Sequence, residues 1–98
     1  MIARVTRWEF SPSSQQVEKV VRRNQDEVLP AASRLPGFKG FYSLIDAESG
    51  RALTLTLWES EEAERASAEA ANRIRAGTVG STGIAMTSAE RYEVAVQG

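Results

Sequence analysis

A chain of 98 residues, 42% hydrophobic and 26% charged, has the composition of one small globular domain, residues 1–98, and not of a disordered segment. Twelve basic against thirteen acidic side chains leave a net charge of -1, which argues against nucleic acid and against an anionic membrane as partners. The chain has no Cys and no His, so it has no disulfide, thiolate, zinc–thiolate site or imidazole base. No metal site is expected, and any chemistry rests on carboxylates, Arg, Tyr, Trp, Ser/Thr, backbone or a bound molecule.

The N-terminal M-I-A-R-V-T-R-W-E-F carries charges among its apolar positions and has no signal-peptide core, and no apolar run approaches the roughly 20 residues of a membrane span. A cytoplasmic protein is expected. Ile2 to Glu9 alternates, with Ile2, Arg4, Thr6 and Trp8 on one face, and predicts a first strand. Ser11-Pro12 is a helix start signal. Val17, Val20, Val21, Asn24 and Val28 then fall at helical spacing, with a Glu18–Arg22 pair and Arg22-Arg23 on the solvated side. Pro30 is expected to kink or end this helix near Leu29, although Ala31, Ala32 and Leu35 extend the stripe. Pro36-Gly37 stops it.

Lys39 to Asp46 reads as a second strand, joined through Glu48-Ser49-Gly50 to a third at Arg51 to Trp58. This third strand has the cleanest period of two in the chain, Leu53, Leu55 and Leu57 against Thr54, Thr56 and Trp58. Ser60 caps a second helix whose first turn holds Glu61, Glu62 and Glu64, with Arg73 and Arg75 in its last turn. Its expected inner stripe is Ala63, Ala66, Ala70 and Ile74, with Gly77 as C-cap. Gly77 to Gly83, G-T-V-G-S-T-G, lacks the lysine and the strand-to-helix setting of a phosphate loop and is read as a connector. Ile84 to Val96 is the last strand, with a break expected near Ser88-Ala89.

The order β-α-β-β-α-β predicts an α+β, ferredoxin-like fold: a four-stranded antiparallel sheet with two helices on one face. The three leucines are expected to face the first helix. Trp58, Thr56, Thr54 and either Tyr42 or Phe41 are then left on the open face, where a second copy of the chain is expected to cover them as a homodimer.

L-P-G-F-K-G-F at Leu35–Phe41, L-T-L-W-E-S at Leu55–Ser60 ahead of a Glu/Ala-rich helix, and E-R-Y-E-V-A-V at Glu90–Val96 occur in an order that resembles the antibiotic biosynthesis monooxygenase family over essentially the whole chain. The resemblance implies ferredoxin-like homodimers whose sheets close into a dimeric α+β barrel. It implies oxidation of aromatic polyketides by dioxygen with no cofactor, neither metal nor flavin, and, in relatives, haem cleavage. Trp58 matches the strand tryptophan of the family's pocket. The pocket asparagine of active members has no match, since the candidate strand positions hold Arg4, Thr6, Thr54 and Thr56. The histidine with which the haem-cleaving branch holds iron is missing as well.

Trp58 is therefore the candidate catalytic residue, as a stacking platform and an indole N–H donor, or else an interface aromatic. Arg4, Trp8, Tyr42, Thr54 and Thr56 are the candidate substrate-binding residues. Arg4 either anchors an acidic substrate group or pairs with a carboxylate such as Glu59 or Glu90, and Arg73 and Arg75 are further pocket candidates. Glu59 is either a base or a solvated carboxylate. The expected function is a cofactor-independent monooxygenase acting on a small aromatic or quinol-type ligand in the cavity that the two copies of the dimer enclose. The alternative is a non-catalytic dimeric ligand-binding or assembly module, with an isomerase or lyase of the same fold as a third reading. A cavity of roughly 300 Å³ or more beside Trp58 is the deciding observation.

Overall fold

The computed structural model describes residues 1–12 and 14–98, with residue 14 described by its backbone alone. Four strands, β1 (Ile2–Glu9), β2 (Phe38–Asp46), β3 (Arg51–Trp58) and β4 (Ala85–Glu93), form one antiparallel sheet in the order β2-β3-β1-β4. The first helical arm consists of α1 (Ser14–Arg23), a π-helical turn (Asn24–Val28) and α2 (Leu29–Ser33). The second consists of α3 (Glu61–Ala66) and α4 (Ala68–Thr82). This is the ferredoxin-like α+β arrangement expected from the element order.

The first arm starts at Ser14, two residues past Pro12, and Pro30 does not end it. A proline lacks the N–H that would bond the carbonyl four residues back, and its ring crowds that carbonyl. The chain responds by widening: the Leu29 N–H reaches the Asn24 carbonyl, a five-residue closure, and helix resumes as α2. Val20, Asn24, Val28 and Ala32 are buried along this arm, whereas Val21 is exposed. Arg23 does not lie on the solvated face with Arg22. It turns toward α4, where Nε donates to Thr78 Oγ1 at 2.9 Å and Nη2 to the Ile74 carbonyl at 3.2 Å, and it pairs with Glu27. Gly77 leaves room for it, since a Cβ there would sit 2.6 Å from Arg23 Nη2.

In the second arm the Ser60 cap forms as expected, its hydroxyl accepting from the Ala63 N–H at 3.1 Å. The inner stripe is displaced from the expected one: Glu64, Ser67, Ala71, Thr78 and Thr82 are buried. A polar stripe survives burial because its hydroxyls bond back along the helix. Ser67 donates to the Glu64 carbonyl at 2.6 Å, Thr78 to Ile74 at 3.1 Å and Thr82 to Thr78 at 2.6 Å. The segment from Gly77 to Thr82 is helix, not connector, and the left-handed Gly83 (φ 76°) is the C-cap in place of Gly77.

Strand alternation is as read from the sequence, but the faces are the other way round. Arg4, Thr6 and Trp8 of β1 stand opposite Thr56, Thr54 and Ala52 of β3, and with Trp58 and Phe41 they face the helices. Leu53, Leu55 and Leu57 share the outer face with Val5, Tyr42, Leu44 and Tyr92. Tyr42 is 56% exposed and Tyr92 50%. The inner stripe of the second arm is small and polar and that of the first carries Asn24 among its valines, so together they accommodate threonines, an arginine and two indoles. β4 is interrupted by a bulge at Thr87, one residue before the expected break, where pairing shifts between Arg7–Ser88 and Trp8–Met86. No helix among the described residues is long and apolar enough to cross a membrane.

Candidate functional site

A cavity of about 60 Å³ lies between the inner sheet face and both helical arms. The two strands at the centre of the sheet set its floor: Arg4, Thr6 and Trp8 from β1, and Thr54, Thr56 and Trp58 from β3. Phe41 and Ser43 of β2 extend it on one side, and Asn24, Thr78 and Arg75 close it from the helices. Trp58 is 1% exposed and its ring meets Phe38 edge-on, with centroids 5.9 Å apart and planes at 79°. Trp8 closes the far end in a cluster with Val20, Ala52 and Ile84.

The polar atoms of this cavity are largely matched among themselves. Trp58 Nε1 donates to Thr56 Oγ1 at 3.0 Å and Trp8 Nε1 to Thr54 Oγ1 at 3.1 Å. The threonines thus take up both indole donors. Asn24 Nδ2 donates to Ser43 Oγ at 2.9 Å, tying the π-helical turn to the sheet.

Arg4 is held at the cavity edge, 7% exposed, with its guanidinium carbon 5.4 Å from the centroid of Trp58. Its Nε and Nη2 donate to Glu64 Oε2 at 3.1 and 2.5 Å, and Nη2 also donates to the Glu64 carbonyl and to Ser67 Oγ, each at 2.8 Å. Arg91 donates to the other carboxylate oxygen, Oε1, at 3.0 Å. Burial pushes the Glu64 carboxyl up, but the hydrogen bonds from Arg91 and Arg4 and their charges outweigh it and hold its pKa below the usual value. Glu64 is therefore a counter-ion and not a base. For Arg75 the balance is reversed: burial, helped by the charge of Arg4, holds its guanidinium pKa below the usual value against the opposing pull of Glu64.

Of the candidate residues, Arg4, Trp8, Thr54, Thr56 and Trp58 come together on this wall. Tyr42 does not, because it lies one residue from Phe41 on a strand and so points to the outer face. Arg4 pairs with Glu64 and with neither Glu59 nor Glu90; those bind Lys39 and Arg7. Arg75 reaches the cavity, whereas Arg73 is exposed and pairs with Glu69. Asn24, Glu64 and Ser67 were not singled out as site residues from the sequence. The available signal for Asn24 was an amide in an otherwise valine stripe. Glu64 was masked by its place in an acidic first turn.

No family model matches the sequence. Two curated relatives, the uncharacterized proteins MT2635 and Rv2558 of two Mycobacterium tuberculosis strains, are each 38% identical over 73 residues, or 74% of this chain. The chain spans 30% of the length of each of them. Among solved structures, the ActVA-Orf6 monooxygenase of Streptomyces coelicolor, in complex with nanaomycin D, superposes with a TM-score of 0.73, 18% identity and coverage of 99% of this chain and 88% of that one. SnoaB, a cofactor-independent oxygenase of Streptomyces nogalater, solved as its N63A mutant, gives 0.69, 13%, 98% and 94%. The chain shares the fold of these antibiotic biosynthesis monooxygenases. The heme-degrader MhuD of Mycobacterium tuberculosis, with two hemes bound in its active site, shares this monooxygenase fold, at a TM-score of 0.64, 23% identity and coverage of 100% and 99%. The residues present here do not fit a haem. The cavity wall offers no imidazole, thiolate or phenolate to ligate iron, and about 60 Å³ is far smaller than a macrocycle.

Proposed function

We propose that this chain is a cofactor-independent, monooxygenase-like protein that takes a small aromatic or quinol-type molecule into the space between sheet and helices within each subunit. The observation that carries this reading is the position of Trp58: a fully buried indole on the wall of a partly open cavity, beside hydroxyls, an amide and two guanidiniums. The fold likeness to the ActVA-Orf6 and SnoaB proteins supports it. In such a reaction the substrate supplies the electrons. A ring CH₂ and O₂ give a ring C=O and water, with one oxygen atom retained and the other released.

The wall sets a condition on that substrate. It holds no carboxylate, because Glu64 stands outside the cavity and is neutralised by Arg4 and Arg91. The substrate must therefore be acidic enough to arrive as its own phenolate or enolate. Trp8 and Trp58 orient its ring, while the surrounding sheet and helices limit the access of water. At about 60 Å³ the cavity beside Trp58 does not reach the roughly 300 Å³ expected of a ligand pocket, and this reading requires the helices to part from the sheet to admit a ring.

The small volume and the internally satisfied indole donors favour a second reading, a dimeric module that binds a ligand or assembles without turnover. In both readings the outer face, with Leu53, Leu55, Leu57, Val5, Tyr42 and Tyr92, joins two copies as a homodimer. Oxygen uptake with anthrones and dihydroxynaphthalenes separates the two. The oxygenase reading expects consumption that drops at least roughly tenfold in Trp58→Phe. Ligand binding with no oxygen uptake on any of the compounds selects the second.

A further inference from the structure

A second cleft, about 200 Å³, opens on the outside of the same wall, between β1, the α3–α4 arm and β4. Arg4 and Arg75 line both spaces, so their side chains are the partition between the inner cavity and the outer cleft. Ala68 and Ala89, with their short side chains, leave the cleft open, and Glu64, Glu90 and Arg91 complete it.

The charges of this cleft do not cancel. Arg4 is held through Nε and Nη2 by Glu64 and Ser67, and its charge is paired with the Glu64 carboxylate. Arg91 shares Glu64 with it and lies 3.7 Å from Glu61. Glu90 is tied to Arg7 at 2.7 Å and accepts from the Tyr92 hydroxyl. Arg75 is the cation left over: its hydrogen-bond partner is the Asn72 side-chain oxygen, and among the described residues no carboxylate lies within ion-pair distance of it. It is half-buried, where a guanidinium without a counter-ion is costly. Three cations against two anions leave the cleft one positive charge in excess, the complement of a monoanion.

We propose that this cleft seats the carboxylate of an aromatic ligand, held bidentately by Arg75 with Arg91 alongside, while the ring passes the Arg4–Arg75 partition into the inner cavity. A planar guanidinium matches a carboxylate in geometry as well as charge. Arg4, spoken for by Glu64, is a wall and not the anchor. The inference rests on the proposed ligand cavity and narrows its substrate class to aromatic carboxylates.

The test is a calorimetric titration of the wild-type chain with naphthoate and with naphthylmethanol, which share a ring and differ in the charged group. Neither needs to be turned over. Naphthoate is expected to bind at least roughly tenfold more tightly. That preference is expected to shrink with added salt, to fall to parity in Arg75→Met, to persist in part in Arg75→Lys and to be unchanged in Arg73→Met, whose side chain leaves the opposite side of α4. Equal affinities in the wild type, no binding of naphthoate, displacement of naphthoate by equimolar inorganic phosphate, or a preference that survives Arg75→Met overturns the assignment. A failure of Arg75→Met to fold leaves the wild-type salt dependence and Arg75→Lys to decide. Oxygen uptake without a carboxylate preference sinks this inference alone, and a carboxylate preference without oxygen uptake sinks the oxygenase reading alone.

Discussion

Arg4 of β1 and Glu64 of α3 are 60 residues apart in the chain and meet inside the protein through two hydrogen bonds to one carboxylate oxygen. Their side chains are 8% and 9% exposed. Such a pair adds little over a well-packed apolar one, but losing one member strands a buried charge. Glu64→Ala should therefore cost about 3–5 kcal/mol in urea unfolding.

The same pair fixes an acid limit. The Glu64 pKa is lowered from 4.5 in the folded protein, so its contribution is fully present above the unfolded value and is lost as pH falls through the lower folded one. Thermal midpoints are expected to decline below about pH 4.5 with a component that Glu64→Gln removes. An identical acid profile in that variant would contradict the linkage.

Gly50 closes the β2–β3 hairpin with φ 72°, and a Cβ there would fall 2.2 Å from the Phe10 carbonyl oxygen, which belongs to the backbone. Neither the dihedral nor the contact can relax cheaply. Gly50→Ala should destabilise by about 1–3 kcal/mol, read as a lower urea midpoint at unchanged m-value.

Leu55 lies at the centre of the outer face, paired with Val5 on one side and Tyr42 on the other. Since it is remote from the inner cavity, Leu55→Glu is expected to halve the mass seen by light scattering while leaving the far-ultraviolet dichroism intact. A wild-type chain that already scatters as one subunit would remove the dimer from both functional readings.

The Asn24–Ser43 hydrogen bond links the first helical arm to β2 at the cavity edge. A double-mutant cycle with Asn24→Ala and Ser43→Ala should return a coupling of about 1 kcal/mol. Strict additivity would mean that the amide is not tied to the sheet.

The strands were legible because alternation is dictated by backbone geometry, and β1 and β3 run between the residues that their periodicity marks. What periodicity does not carry is which face receives the helices. The leucines of β3 are the most apolar set, yet the helices offer Asn24, Ser67, Thr78 and Thr82, and these match the threonine face. That match was hidden because the second arm's burial stripe is polar and its hydroxyls are satisfied within the helix. G-T-V-G-S-T lacks helix propensity, and tertiary contact through Arg23 and Thr78 overrides it. Of the site, Trp58, Trp8, Arg4 and the two threonines could be read from one strand pair. Glu64 and Asn24 could not, since their roles depend on where Arg4 and Pro30 send the neighbouring chain.

The π-helical turn ahead of Pro30 contains one residue more than an α-helical turn, and that surplus sets the rotational phase of everything after it. Removing a single residue between Asn24 and Val28 would swing the rest of the arm by about 100° about its axis, carrying Ala32 away from the cavity roof. Homologous sequences aligned without a gap at this place would therefore be expected to keep both the surplus residue and the proline, or to lose them together.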